Sequence, residues 1–422
     1  MTQSRLRLGS PGRVRTSIVW ASVMASLAAG ACGAARNQPP GAPDAAAPAQ
    51  PSPRAPGDDA GAIAPDAATG AGADLGADLG ADLGPPPLTV DASAPPPADA
   101  APMINPTRQA FLSMLEAIVR PIPPLAPALM NATTSNGVVV QDFSFASTPT
   151  WRVPGTLRRP VAASGRLPVA IVLHETGADR DSANVVDIAS AMVARGFLAV
   201  AISGRYFGAG GGNPQYINAM KAADVNPGSD YPFLYDTAWD TMRLIDYLVT
   251  RDDVDPARIG LTGISKGGME TTLVAFADPR VAAAAPIIGV QSFKWGLENN
   301  AFAARAMSLD DAVPNPTDAA SVRMFYARVA PGLVEMFDGP DVVPLVAPRP
   351  FIVIAGLQDP RNAMGGVKLV MDAATAAYTR AGAADHVKLF TADVGHDGGY
   401  APFHQTAVQW LDQWLGNQPA AK

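Results

Sequence analysis

Cysteine and histidine are scarce in this sequence, and their scarcity limits the chemistry available to it. One cysteine, Cys32, occurs among 422 residues. No intrachain disulfide can therefore form, and the sequence after it has no thiol for a metal or catalytic centre. A catalytic imidazole must come from a set of four residues, which are His174, His386, His396 and His404.

The sequence also lacks an excess of basic residues and a long apolar run. Its formal net charge is −7, which argues against a nucleic-acid partner, because such a surface needs a basic stripe. No segment after residue 32 reaches the length of a membrane helix. The sequence contains no phosphate-binding loop, nucleotide fingerprint or metal-ligand cluster. We therefore expect no cofactor and no metal.

Residues 1–32 have the pattern of a bacterial signal peptide. Four arginines precede a short apolar run at residues 16–31, as expected of an export signal. The end of this run, AAGAC, resembles a lipobox with Ala29 in place of the usual Leu, which implies lipidation of Cys32. We expect an exported protein, anchored in the bacterial cell envelope by lipid and touching the membrane only there. The alternative is cleavage after Ala31, which gives a secreted or periplasmic protein.

The next segment, residues 33–102, consists mainly of Ala, Pro, Gly and Asp and includes a GADL repeat at residues 72–84. It has no apolar face to bury, so we expect a disordered linker. Residues 103–417 have ordinary globular composition and form one predicted catalytic domain.

Strand-like and helix-like segments alternate along this domain. Residues 169–173 form a continuous apolar run, as in a strand buried on both faces, and helical periodicity follows it. Such alternation predicts an α/β fold with a mostly parallel sheet and helices on both faces. Ligands bind at the carboxyl ends of the strands in sheets of this kind, so we expect catalytic residues in the loops that follow the strands.

The segment GISKG at residues 263–267 is the nucleophile candidate, with Ser265 at its centre. It follows a predicted strand at residues 258–262 and precedes a predicted helix at residues 266–276, which is the context of a nucleophile elbow. The flanking glycines allow the sharp turn that this elbow requires. The alternative is that Ser265 only caps the helix.

A serine nucleophile needs a neighbouring base, and hydrolases of this type order their triad as serine, acid, histidine. That order excludes His174. We favour His396 over His404 because it lies in a glycine-flanked loop after the last predicted strand. Asp359 follows the predicted strand 351–355 and is the expected acid. Other aspartates lie between the serine and the histidine but not at this strand end: Asp338, Asp341, Asp372 and Asp393.

Acyl transfer also needs hydrogen-bond donors for the developing oxyanion. The backbone N–H of Lys266, directly after the nucleophile, is one expected donor. The second is expected from the loop after residues 169–173, where we select Thr176. We expect His174 and Glu175 to support this loop by hydrogen bonds.

The run DVDPARIGLTGISKGG at residues 253–268 resembles α/β-hydrolase serine esterases near the dienelactone hydrolases, acetyl-xylan esterases and prolyl-oligopeptidase-like hydrolases. The resemblance spans about residues 137–416 and implies the α/β-hydrolase fold, to which the insertion at about residues 291–347 adds a small helical cap. Dienelactone hydrolases have a cysteine where Ser265 stands. Lys266 replaces a commoner apolar or aromatic residue; its side chain either favours a polar or acidic acyl group or points to solvent.

Three functions remain open from the sequence. The first is an exported serine hydrolase that cleaves small-molecule or carbohydrate esters through an acyl-Ser265 intermediate. The second is a peptidase of the prolyl-oligopeptidase type, although no propeller-sized domain precedes the catalytic one. The third is a tethered, non-catalytic binding protein on a hydrolase scaffold.

Overall fold

The computed structural model describes residues 105–119, 121–208, 212–228, 230–398 and 400–416, all within a compact unit that spans Ala92–Lys422. The predicted signal peptide with Cys32 and the predicted linker at residues 33–102 lie outside the described residues. No helix among the described residues has the length and apolar character needed to cross a membrane.

Nine strands form one sheet with the order β1-β2-β3-β5-β4-β6-β7-β8-β9. The strands β1, β2 and β3 are antiparallel to their neighbours. The other six, β4 to β9, run parallel to one another. The strands are β1 Ala128–Ser135, β2 Val138–Ala146, β3 Arg152–Pro160, β4 Leu167–Leu173, β5 Leu198–Ile202, β6 Val254–Ile264, β7 Val281–Ile287, β8 Phe351–Gly356 and β9 Val387–Ala392.

Helices connect the strands and cover both faces of the sheet. They are α1 Pro106–Val119, α2 Ala183–Val193, α3 Asn213–Val225, α4 Tyr235–Leu248, α5 Lys266–Ala277, α6 Phe293–Glu298, α7 Ala303–Met307, α8 Ala319–Val329, α9 Gly339–Val342, α10 Met364–Arg380 and α11 Tyr400–Leu415. The cap insertion between β7 and β8 contains α6 to α9. The predicted α/β fold, with a mostly parallel sheet and helices on both faces, is therefore confirmed.

Strand β4 shows how the sheet divides the core. Val169, Ile171 and Leu173 point to one side, among the residues of α4, α5 and α10. Ala170 and Val172 point to the other, against α2 and α11. Successive side chains of a strand alternate between faces, so a strand buried on both faces is apolar throughout, as its sequence predicts.

Two elements were not predicted. Strand β1 is exposed along its whole length, so its sequence ALMNATTS has no apolar alternation to reveal it. Helix α3 lies in residues 203–236, a second insertion whose Gly-, Tyr- and Phe-rich sequence does not predict a helix, and it buries Tyr216, Ile217 and Met220. His386, predicted to begin the last strand, instead ends a 3-10 turn at Ala384–His386.

The order of the central strands determines where a site can form. From β4 the chain moves to β5 on one side and later to β6 on the other, so the carboxyl ends of β4 and β6 flank a topological switch point. Leu173 at the end of β4 pairs with Gly263 near the end of β6. Gly356 pairs with Ala392 at the ends of β8 and β9. The loops after these strands all open at one edge of the sheet.

Candidate active site

Ser265 occupies a strained turn between β6 and α5. Its φ is 54° and its ψ is −107°, a backbone conformation that non-glycine residues rarely adopt. The neighbouring strand holds the turn, because the Ser265 N–H donates to the Ile287 carbonyl at 2.9 Å. A Cβ on Gly267 would overlap the Leu173 carbonyl, so glycine is required there. The strain is of the kind found at functional sites.

The hydroxyl of Ser265 does not cap the helix that follows it. Its Oγ lies 2.8 Å from Nε2 of His396. The opposite ring nitrogen of His396, Nδ1, lies 2.7 Å from Oδ2 of Asp359. All three side chains are buried. The structure thus brings together the three residues selected from the sequence, in the arrangement of a serine, a base and an orienting acid.

Backbone hydrogen bonds hold the two loops that carry the base and the acid. The N–H of Leu357 donates to the Ala392 carbonyl at 2.8 Å, and that of Gln358 donates to the Val394 carbonyl at 3.0 Å. These bonds extend the pairing of β8 with β9 beyond the strand ends. The loop after β8 therefore lies against the loop that contains His396.

The carboxylate of Asp359 has partners on both oxygens. Oδ1 accepts from the backbone N–H groups of Arg361 at 2.8 Å and Asn362 at 3.1 Å. Burial by itself would raise the pKa of Asp359, but the hydrogen bond and charge of His396 and the Arg361 N–H together lower that pKa below its ordinary value. The carboxylate is therefore ionised, and the favoured imidazole tautomer carries its proton on Nδ1.

The two residues selected as oxyanion donors lie on the turn that carries the nucleophile and on the loop after β4. Lys266 is the first residue of α5, where backbone N–H groups have no partner within the helix. Thr176 follows β4 and lines the same cavity as Ser265 and His396. Both positions suit a donor to an oxyanion, and that role stays a prediction.

The side chain of Lys266 fits neither of the two orientations predicted for it. It is 1% exposed and points into the protein, where it forms an ion pair with Glu270 one turn along α5. Its Nζ lies 5.2 Å from the ring centroid of Phe207 and 5.8 Å from that of Tyr216. A buried ammonium needs such an anion and such ring faces. The prediction was wrong because the ion pair with Glu270 and packing against Phe207 and Tyr216, not helix position, determine this direction.

His174 supports the loop after β4, as expected. Its Nε2 accepts from the Gly204 N–H at 2.9 Å, so the proton is on Nδ1, which lies 2.7 Å from the Glu175 carbonyl oxygen. Burial and the nearby charge of Lys266 lower the pKa of His174 to about 3. The ring is neutral at physiological pH. Glu175 also has the structural contact expected of it, because its Oε1 accepts from Asn184 at 2.8 Å.

The sequence places His404 on the last predicted helix and favours a surface position for it, but the structure buries its side chain. It is 5% exposed on the inner face of α11, and its Nδ1 lies 2.7 Å from Oδ2 of Asp187 on α2. In the described part of the chain, the four other aspartates considered as the acid form no hydrogen bond or ion pair with His396, which pairs with Asp359 instead. The most buried of them, Asp338, instead binds Ser292 and the N–H groups at the start of α6 and α9.

Ser265 and His396 open onto a cavity of about 200 Å³. Its walls include Glu175, Asn213, Arg305, Arg361, Asp397 and Tyr400. Sequence reasoning missed this polar wall, because Asn213 and Arg305 come from the two insertions and their positions depend on long-range packing. The contacts of Asp359 with the N–H groups of Arg361 and Asn362 could have been predicted from local sequence. An aspartate in a turn often accepts hydrogen bonds from backbone N–H groups that follow it shortly in the chain. No group of three or more potential metal ligands occurs in the part of the chain described.

Two protein-family models match the chain. The model of the prolyl oligopeptidase family matches residues 235–418, and that of the X-Pro dipeptidyl-peptidase family matches residues 124–320. The protein YtaP of Bacillus subtilis is 28% identical over 177 residues, which are 42% of this chain and 52% of that protein. The chain therefore spans about half the length of this relative.

Solved structures share the fold at low identity. A methylesterase has 20% identity and a TM-score of 0.54, with 73% of this chain and 62% of that chain covered. The acetyl xylan esterase from Paenibacillus sp. R4 has 19% identity and a TM-score of 0.51, with 73% and 93% covered. These similarities agree with the resemblance predicted from the sequence motifs.

Proposed function

We propose that this chain, which is a serine hydrolase of the α/β-hydrolase superfamily, cleaves carboxylic esters through an acyl intermediate on Ser265. One observation carries the proposal: the Ser265 Oγ, the His396 ring and the Asp359 carboxylate are joined by contacts of 2.8 and 2.7 Å beside an open cavity. A non-catalytic binding protein, the third possibility left open by the sequence, would not need this arrangement.

In the proposed acylation step, Ser265 Oγ attacks the ester carbonyl while His396 Nε2 accepts the hydroxyl proton. The backbone N–H groups of Lys266 and Thr176 stabilise the negative oxygen that forms. Collapse of the tetrahedral intermediate breaks the bond to the alcohol, which leaves with the proton from His396. Asp359 stabilises the imidazolium while it exists.

In the second step, a water molecule gives its proton to His396 Nε2 and attacks the acyl carbon. The acid is released and the proton returns to Ser265 Oγ. The polar wall and modest volume of the cavity favour small substrates, because cavities for drug-sized ligands measure about 300–1,000 Å³. Acetylated sugars and similar carbohydrate or small-molecule esters fit this description, and the names of the structural neighbours support an ester bond.

Peptide hydrolysis is the second candidate, because both matching family models describe peptidases. The two are separated by measuring kcat/KM of the full chain with 4-nitrophenyl acetate, acetylated xylo-oligosaccharides and a Gly-Pro 4-nitroanilide. We expect the acetyl esters to be hydrolysed and the anilide to be at least 100-fold poorer, roughly the discrimination that ~3 kcal/mol gives. Faster cleavage of the anilide would reverse the order of the two candidates.

The intermediate itself can be trapped. Acid quenching of the chain during turnover of 4-nitrophenyl acetate, followed by peptide mass spectrometry, should find an acetyl group on Ser265. Ser265→Ala should be unmodified at this peptide. Turnover by wild type without any acylated serine would contradict the covalent mechanism.

We also propose that the chain is exported and anchored through a lipidated Cys32. The basic, apolar and lipobox-like segments at residues 1–32 support this proposal. Expression of the full chain in a bacterium, followed by detergent phase partition, tests it. We expect wild type in the detergent phase and Cys32→Ser in the aqueous phase; equal partition of both would rule out the anchor and favour the secreted or periplasmic alternative.

A further inference from the structure

Arg305 is a buried cation that faces the cavity beside the nucleophile. It comes from helix α7 in the cap insertion and is 4% exposed. Its Nη2 donates to Oδ1 of Asn362 at 2.9 Å, and its Nε donates to the Arg361 carbonyl at 3.3 Å. Two neutral acceptors thus fix the plane of the guanidinium, and Nη1 has no hydrogen-bond partner among the described residues.

The guanidinium lacks a carboxylate partner. Within the described ranges, no carboxylate oxygen lies within 4.0 Å of the Arg305 nitrogens. Arg158 has a similar burial of 8%, but it pairs with Asp181 at 3.0 Å. Asp359 is already bound to His396 and to two backbone N–H groups. Arginine cannot lose its proton in a protein, so this charge is buried without a carboxylate in direct ion-pair contact, and the charge of Asp359 compensates it only from a distance.

Such a charge is costly unless something compensates it. Burial lowers the pKa of Arg305, and the neighbouring Arg361 adds to this effect while Asp359 opposes it. A carboxylate of a bound ligand would compensate this charge, since one guanidinium can bind a carboxylate through two parallel hydrogen bonds.

The other charges on the cavity wall do not supply that anion. Asp397 pairs with Arg361 at 3.1 Å, and its side chain is 74% exposed. Glu175 binds Asn184 through Oε1, while its Oε2 is buried without a hydrogen-bond partner in the described structure. Among the described residues of the wall, Arg305 is therefore a buried cation without a carboxylate in ion-pair contact.

We propose that Arg305 binds a carboxylate of the substrate, so that the preferred substrates are small esters with a free carboxylate near the scissile bond. This inference rests on the ester hydrolysis proposed above and adds a substrate class to it. The carboxylate belongs either to the acyl part, as in a half-ester of a dicarboxylic acid, or to the alcohol part, as in an acylated hydroxy acid.

Matched pairs of esters test the inference with the full chain. Monomethyl and dimethyl succinate compare a charged with a neutral acyl part, with methanol release as the readout. O-acetyl lactate and its methyl ester compare the alcohol part, with acetate release as the readout. We expect wild type to have a kcat/KM at least about 10-fold higher for the charged member of one pair, as a charge-assisted hydrogen bond provides.

The variant Arg305→Gln removes the charge and keeps a donor toward Asn362. It should lower kcat/KM for the preferred charged ester by about 10- to 100-fold, mainly through KM, and for its neutral partner by about threefold or less. Arg305→Lys should keep part of the preference. Arg323→Gln makes the same charge change on α8 of the cap, where Arg323 is 37% exposed, and should leave the preference intact.

Each other outcome has a distinct meaning. Equal or better hydrolysis of the neutral members by wild type, or an equal loss on both members in Arg305→Gln, would overturn the inference and leave the ester hydrolase standing. If none of the four esters is hydrolysed but Ser265 reacts with a fluorophosphonate, the inference about Arg305 is likewise overturned and the ester hydrolase stands. If no ester is hydrolysed and Ser265 does not react with the fluorophosphonate, both proposals are overturned. Urea unfolding of each variant shows whether it is folded.

Discussion

Removal of the Lys266 side chain should destabilise the protein through the charge that it leaves behind. Lys266 and Glu270 form an ion pair at 2% and 1% side-chain exposure. Thr237 Oγ1 lies 3.4 Å from the ammonium. Burial raises the pKa of Glu270, and the charge and hydrogen bond of Lys266 lower it. In Lys266→Met the carboxylate stays buried and loses the partner that stabilises its ionised form.

Breaking one side of a buried ion pair costs about 3–5 kcal/mol, whereas replacing both sides with apolar groups of similar size is often neutral. We therefore expect Lys266→Met to lower the free energy of unfolding by about 3–5 kcal/mol at pH 7. The double variant Lys266→Met/Glu270→Met should recover most of that loss. The recovery of unfolding free energy in the double variant measures how strongly the two side chains are coupled.

The assay is urea unfolding followed by circular dichroism, with Lys368→Met as the control. Lys368 is an exposed lysine on α10, so its replacement should change stability by less than about 0.5 kcal/mol. Without Lys266, the pKa of Glu270 rises further above its unfolded value. The folded single variant then binds a proton that the unfolded chain does not, so its stability should recover as pH falls from 8 toward 5.

A Lys266→Met variant as stable as wild type would contradict the expected cost of leaving Glu270 unpaired. A double variant less stable than the single one would contradict it too. Either result would mean that the pair contributes through packing rather than through its charges.

Three further changes should have measurable effects. The pKa of His174 is about 3 in the folded chain and 6.5 in the unfolded chain. The unfolded chain therefore binds a proton first, and the free energy of unfolding should fall as pH drops below 6.5, by about 2 kcal/mol at pH 5. His174→Gln should lack this contribution, so its urea midpoint should decrease less than that of wild type between pH 7.5 and 5. Gly267→Ala would press a Cβ against the Leu173 carbonyl and should cost about 1–3 kcal/mol or more, while Gly296→Ala, whose nearest neighbour is 3.7 Å away, should be tolerated. Asp359→Asn keeps an acceptor for the turn but favours the wrong tautomer, and it should lower kcat for ester hydrolysis by about 10³- to 10⁴-fold with little change in thermal unfolding; a loss below tenfold would contradict the role of the carboxylate.

The positions of Ser265, Asp359 and His396 could be predicted because each depends on local pattern and strand order. A strand followed by the elbow motif places the serine at the carboxyl edge of a parallel sheet. Buried strands are visible as apolar runs, and the residues just beyond them meet at one edge. The same logic identifies the loop of His174 and Thr176 after β4.

The rest of the site depends on packing between distant segments. The inward direction of Lys266 needs Phe207 and Tyr216 from an insertion, and the position of Arg305 needs a five-residue helix in the cap. The sequence of residues 291–347 predicts helical stretches but not how they pack, and the sequence of residues 203–236 does not reveal helix α3. Strand β1 escaped prediction for a different reason, because all of its side chains are exposed and polar residues interrupt its pattern.

The most direct test of the central claim is reaction of the full chain with a fluorophosphonate probe, beside Ser265→Ala and His396→Ala. We expect rapid labelling of wild type, none of Ser265→Ala, and labelling of His396→Ala slowed by at least about 10³-fold, as loss of the activating base requires. A folded wild-type chain that is not labelled, or an equal rate for His396→Ala, would contradict an activated nucleophile at Ser265.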